Sequence, residues 1–147
     1  MKIEGTHQIH AARDRIYAAL TDPQILQRCI PGCESLDKTD DNTYTATLKA
    51  GVGPVKGRFN GNVRLEDMQP PSHYRMIVDG KGGPGFVKGT GDFDLQESDG
   101  GTAIAYTGDL QVGGAIAGVG QRMIEAAAKM LAAQFFKQLD AEIKKSE

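Results

Sequence analysis

From Lys2 to Ile9 the chain alternates, with Ile3, Gly5, His7 and Ile9 on one face and Lys2, Glu4, Thr6 and Gln8 on the other. Successive side chains of an extended chain point to opposite faces, so this segment predicts a half-buried strand. The period then changes. Between Arg13 and Thr21, the residues Ile16, Ala19 and Leu20 fall on one helical stripe. Asp22-Pro23 closes this helix and opens another, since proline fits a first helical turn but not an interior. The second helix is short, Pro23 to about Cys29, and ends against the Ile30-Pro31-Gly32 turn.

Beyond Cys33 the period returns to two. Tyr44, Ala46, Leu48 and Ala50 oppose Thr43, Thr45, Thr47 and Lys49, while Phe59, Gly61, Val63 and Leu65 oppose Arg58, Asn60, Asn62 and Arg64. The inward set continues through Tyr74, Met76 and Val78, then Val87, Gly91, Phe93 and Leu95, then Ile104, Tyr106, Leu110 and Val112. Turn residues separate these runs at Asp41-Asn42, Pro70-Pro71, Gly82-Gly83-Pro84-Gly85 and Asp99-Gly100-Gly101. The last segment, Ala115 to about Ile143, carries Ile116, Val119, Met123, Ala127, Met130, Leu131, Phe135 and Leu139 at helical spacing. It predicts one long amphipathic helix.

The order is strand, two short helices, a meander of strands and a long helix, an α+β arrangement in one domain spanning residues 1–147. A sheet of about seven antiparallel strands with one wet face must curl to shield the other, and only the last helix is long enough to fill the concavity. This is the helix-grip architecture. A curved sheet and a straight helix pack imperfectly, so a ligand-sized apolar cavity is expected between them.

Three strings add to this reading: Ile30-Pro31-Gly32-Cys33-Glu34-Ser35-Leu36, Gly51-Val52-Gly53-Pro54-Val55-Lys56-Gly57-Arg58-Phe59, and Gly113-Gly114-Ala115-Ile116-Ala117-Gly118-Val119-Gly120-Gln121-Arg122. Together they resemble the family of the carbon monoxide dehydrogenase G subunit, within the START-like or polyketide-cyclase-like SRPBCC superfamily, from Met1 to about Leu139. The resemblance implies an accessory protein of a molybdenum hydroxylase of the carbon monoxide dehydrogenase type, helping to place that enzyme where electrons reach the membrane quinone pool. Many members continue into a variable linker and a membrane-associating tail. This chain stops at Glu147, after Lys144-Lys145-Ser146, so attachment through such a tail is an expectation for a longer native form.

The 17 basic and 19 acidic residues leave a net charge of -2, which gives no excess of cations to bind nucleic acid. Cys29 and Cys33 are too few for a secreted disulfide framework, and Met1-Lys2-Ile3-Glu4 does not begin a signal peptide. A cytoplasmic protein is expected, peripheral at the inner face of the membrane in a longer form. The weakly polar stretch from Val112 to Gly120 is far shorter than the roughly 20 residues of a spanning helix.

His7, His10 and His73 show no metal spacing, and His7, on the inward face, is expected to be a wall residue and not a general base, which also needs an orienting partner. Cys29 and Cys33 flank a turn without two further ligands for zinc, so plain thiols are expected. The glycine clusters lead into strands, except Gly113-Gly114, so they do not form a dinucleotide cradle. Gly118 and Gly120 are expected to thin the start of the long helix into a cavity mouth.

The clearest cavity candidates are Met123 and Met130, flexible side chains that adapt to ligand shape. Tyr44, Phe59, Met76, Phe93, Tyr106, Val119 and Ala127 complete the expected ligand-binding set, with Tyr44 or Tyr106 offering a hydroxyl. The ligand expected from the resemblance is a lipid or isoprenoid quinone, with no covalent cofactor. Val52, Val55 and Lys56 are the expected docking residues for the hydroxylase. A cyclase or hydrolase of the same superfamily is the rival, disfavoured because Asp79, Asp92, Asp94 and Asp109 alternate outward. A ligand-free recruitment adaptor with a solid core is the third reading.

Overall fold

A computed structural model describes residues 1–145. Ser146 and Glu147, where the chain stops, lie outside the described residues. Strand β1, Lys2–Ile9, is followed by helices α1, Arg13–Leu20, and α2, Pro23–Cys29. Six strands then meander: β2, Cys33–Asp40; β3, Thr43–Val52; β4, Val55–Gln69; β5, His73–Gly82; β6, Gly85–Ser98; and β7, Gly101–Gly113. The seven strands form one antiparallel sheet in the order β1-β7-β6-β5-β4-β3-β2.

This order explains the helices. The chain leaves β1 at one edge of the sheet and must reach β2 at the other, and α1 and α2 make that crossing over one end of the concave face. Asp22 caps α2 by accepting from the Gln24 backbone N–H at 2.9 Å, with Pro23 at the first helical position. The Cys29 end is bounded by Gly32, whose φ of 75° suits glycine.

Register carries the alternating sets onto one face. Tyr44 pairs Val63, Val63 pairs Val78, Val78 pairs Gly89 and Gly89 pairs Leu110, a continuous inward row. The next row is Ala46, Gly61, Gly80, Val87 and Val112. The long helix starts later than its period predicts. Ala115–Val119 forms a 3-10 turn, Gly120 has a φ of 97°, outside the helical region, and α3 runs Gln121–Lys145. No helix among the described residues is long and apolar enough to cross a membrane.

The core sits at the end closed by α1 and α2. Ile16, Leu20 and Cys29 pack there with Leu36, Leu95, Ile104, Phe136, Leu139 and Ile143, all buried. Tyr74 stacks on Phe93 at 4.9 Å, and His7 stacks on Phe136 at 4.6 Å. These aromatic rings fill that half of the concave face.

Candidate ligand cavity

The other half is hollow. A cavity of about 250 Å³ lies between the sheet and the first half of α3. Its sheet wall comes from Ala46, Leu48 and Ala50 on β3, Phe59 and Val63 on β4, Val78 and Gly80 on β5, Val87 on β6, and Leu110 and Val112 on β7. Ile116 of the 3-10 turn and Ile124, Ala127, Ala128 and Leu131 of α3 roof it. Asn62 is the one polar residue at its edge, and none of the lining residues is titratable.

Absent side chains make the space. A Cβ built on Gly80, which lines the cavity, would meet nothing closer than 3.9 Å. Short alanines on α3 face short residues on the sheet, whereas the same helix farther on presents Phe135, Phe136 and Leu139 to the packed half. The 3-10 turn is held by the Ile116 N–H donating to the Pro84 carbonyl at 2.8 Å. The lining reaches the β3–β4 turn at Gly51 and Val52, where Met123 Cε comes within 2.7 Å of the Cβ position of Gly53.

The expected ligand residues divide. Phe59 and Ala127 line the cavity. Met123 and Met130, 44% and 58% exposed, do not: α3 turns Ile124, Ala127, Ala128 and Leu131 toward the sheet, so that of the predicted stripe Ala127 and Leu131 face the cavity and the two methionines lie outside it. Val119 is half-buried in the 3-10 turn and outside the lining. Tyr44, Met76, Phe93 and Tyr106 belong to the packed half. The Tyr44 hydroxyl donates to the Thr21 carbonyl at 2.7 Å, and Tyr106 lies in the ring stack with Phe93 and Phe136. Neither hydroxyl reaches the cavity lining. Of the expected docking residues, Val52 lines the cavity, Val55 is half-buried and Lys56 is exposed.

Leu48, Val78, Val87, Leu110, Val112 and Ile116, which the sequence places among the inward residues but not in the ligand set, also line the cavity, as does Ile124, which the sequence did not single out. The signal that could have found them is the inward glycine and alanine set, which marks where the concave face is empty.

His7 lies in the aromatic stack, where burial lowers its pKa from 6.5. Burial pushes the Cys29 thiol up to about 11, aided by Glu142. Burial likewise raises Cys33, whose Sγ contacts the Ser35 carbonyl at 3.4 Å. His73 is remote from the cavity, its Nδ1 lying 2.8 Å from Asp94 on the outer face. Among the described residues no group of three or more His, Cys, Asp or Glu side chains is arranged to hold a metal ion.

The family model for the G subunit of carbon monoxide dehydrogenase (CoxG) matches residues 5–144. The chain belongs to this family. A conserved protein from Geobacillus kaustophilus of known crystal structure is 39% identical, with a TM-score of 0.94 over 99% of this chain and 97% of that one. Protein Ms6760 from Mycobacterium smegmatis, 19% identical, superposes with a TM-score of 0.75 over 99% of this chain and 92% of that one. Ara h 8.0201, 12% identical, gives a TM-score of 0.73 over 99% of this chain and 98% of that one. The last two show the fold alone. No curated protein matches the chain. The CoxG fold is thus the open seven-stranded helix grip described above.

Proposed function

We propose that this CoxG domain is a non-enzymatic carrier that holds the apolar chain of a lipid or isoprenoid quinone in the cavity under α3. In this reading it links a molybdenum hydroxylase of the carbon monoxide dehydrogenase type to the membrane quinone pool, from the cytoplasmic side. The observation that carries the ligand reading is a 250 Å³ cavity without a titratable side chain in its lining. A methylene takes up about as much room as a water, roughly 30 Å³, so about eight such groups fit. At about 0.8 kcal/mol per buried methylene the gross gain is roughly 6 kcal/mol. A longer chain would extend through the mouth, and a polar head, which has no partner inside, would stay outside.

The partner reading rests on membership of the CoxG family. A solid-core adaptor is disfavoured by the cavity, and a cyclase or hydrolase by the position of His7 and the acids outside it. Native mass spectrometry of protein purified from its own host, followed by organic extraction, tests the proposal. A bound lipid or quinone is expected. Protein that emerges empty, and stays empty after incubation with quinone in vesicles, would refute it.

A further inference from the structure

The exposed large hydrophobic residues among those described, Met123, Met130 and Leu131, all lie in the first half of α3, beside the cavity. The β3–β4 turn adds half-buried Val52 and Val55 and exposed Pro54. Single exposed apolar residues are ordinary, but a cluster beside an apolar cavity marks a contact surface.

Charge divides the two ends of the sheet. At the closed end the β2–β3 and β6–β7 turns carry Asp41 and Asp99, and the strand ends there carry Asp40, Glu66, Asp67 and Glu97. At the cavity end the β3–β4 and β5–β6 turns hold no acid and are flanked by Lys56 and Lys81. Helix α3 begins Gln121-Arg122, with no acidic residue in its first turn, although the helix dipole favours a carboxylate there. Lys56, Lys81 and Arg122 are exposed and form no ion pair among the described residues, unlike Arg58, which binds Glu34 at 2.7 Å, or Lys129, which faces Glu125. In a chain of net charge -2 this basic rim is a local excess.

We propose that the cavity end of the domain docks directly on an anionic lipid surface through the β3–β4 turn, the β5–β6 turn and the first half of α3. The apolar residues enter the acyl boundary and Lys56, Lys81 and Arg122 lie at the phosphates. A bilayer suits this rim better than a protein face does, because it is itself the apolar phase from which a cavity ligand comes. The purpose of the docking rests on the carrier reading above, but its test does not.

Vesicles of phosphatidylcholine alone and of phosphatidylcholine with phosphatidylglycerol serve as probes in co-sedimentation. The protein should partition onto the anionic vesicles preferentially and release at high salt, where charges are screened. Reversal by K56E, K81E and R122E together should weaken partitioning at least on the order of a hundredfold, from about fivefold for each positive charge removed and more for each negative charge added. K38E, at the closed end, should change nothing. Circular dichroism of the triple variant verifies its fold.

Equal binding of wild-type protein to both vesicles, binding to neither, or unchanged binding of the triple variant would overturn the proposal. So would a wild-type dimer in light scattering that the triple variant breaks, or loss of a co-purifying dehydrogenase with vesicle binding intact. Extracted lipid is measured separately. Anionic-vesicle binding with a cavity that never fills would sink the carrier reading and leave this one standing.

Discussion

Gly80 gives the most direct test of the hollow half. It faces inward on β5 and lines the cavity, and the nearest neighbours of an added Cβ are Asn60 O, Gly61 Cα and Val87 O, each at 3.9 Å. Gly80→Ala therefore adds a methyl group in van der Waals contact without a clash. Burial of one methyl is worth about 0.8 kcal/mol, and the loss of glycine's unfolded-state freedom adds about 0.4 to 1 kcal/mol. The variant should gain between 1 and 2 kcal/mol or so, raising Tm by about 3 to 6 °C in a chain of this length. The same methyl takes roughly 30 Å³ from a cavity of about 250 Å³. A ligand displaced by one methylene should bind about fourfold more weakly. Thermal unfolding of ligand-free protein and titration with a fluorescent acyl probe read the two effects. Gly89→Ala is the contrast, because its Cβ would come within 2.6 Å of Leu110 Cδ2 and 2.9 Å of the Asp109 carbonyl, and overpacking costs about 1 to 3 kcal/mol. Destabilisation by Gly80→Ala, or a stabilised variant with undiminished probe affinity, would refute the reasoning.

Because burial holds His7 below its ordinary pKa of 6.5, the unfolded chain binds the proton more readily and stability is lost as pH falls through 6.5 toward the lowered folded value. His7→Phe, which keeps a ring against Phe136, should flatten that part of a denaturation-midpoint profile, and an unchanged slope would count against it. Cys29, protonated with a pKa near 11 and buried, should resist alkylation at neutral pH in native protein and react in denaturant. Rapid native labelling would show that the thiol is not enclosed. Gly118→Ala has open space and should leave Tm nearly unchanged, whereas Gly120→Ala must hold a φ of 97° and should cost about 1 to 2 kcal/mol. Hydrogen exchange should show Ala115–Val119 opening faster than the buried Phe136–Ile143 stretch of α3, and equal protection would argue against a soft entrance.

The alternating period alone determined the inward face of β1 and of β3 to β7, though not of β2, Cys33–Asp40. Tyr44, Ala46, Phe59, Val63, Val78, Leu95 and Ile104 need only a period of two to be assigned to one side, and antiparallel pairing then keeps them together. The Asp22-Pro23 break and the glycine turns likewise marked the element ends, since proline and glycine restrict or free the backbone whatever surrounds them. Three matters were decided only by tertiary structure. Which apolar residues of α3 turn inward was decided by packing against the sheet, because a stripe of two or three apolar residues per turn is wider than the face that is covered: Ala127, Leu131 and Leu139 face the sheet while Met123 and Met130 stay outside. The division of the concave face followed from the crossing of α1 and α2 and from the ring stack of Tyr74, Phe93, Tyr106 and Phe136, which are long-range contacts that no local pattern encodes. The basic rim exists only because folding gathers Lys56, Lys81 and Arg122, far apart in sequence, at the end of the sheet where the side chains run out and the cavity opens.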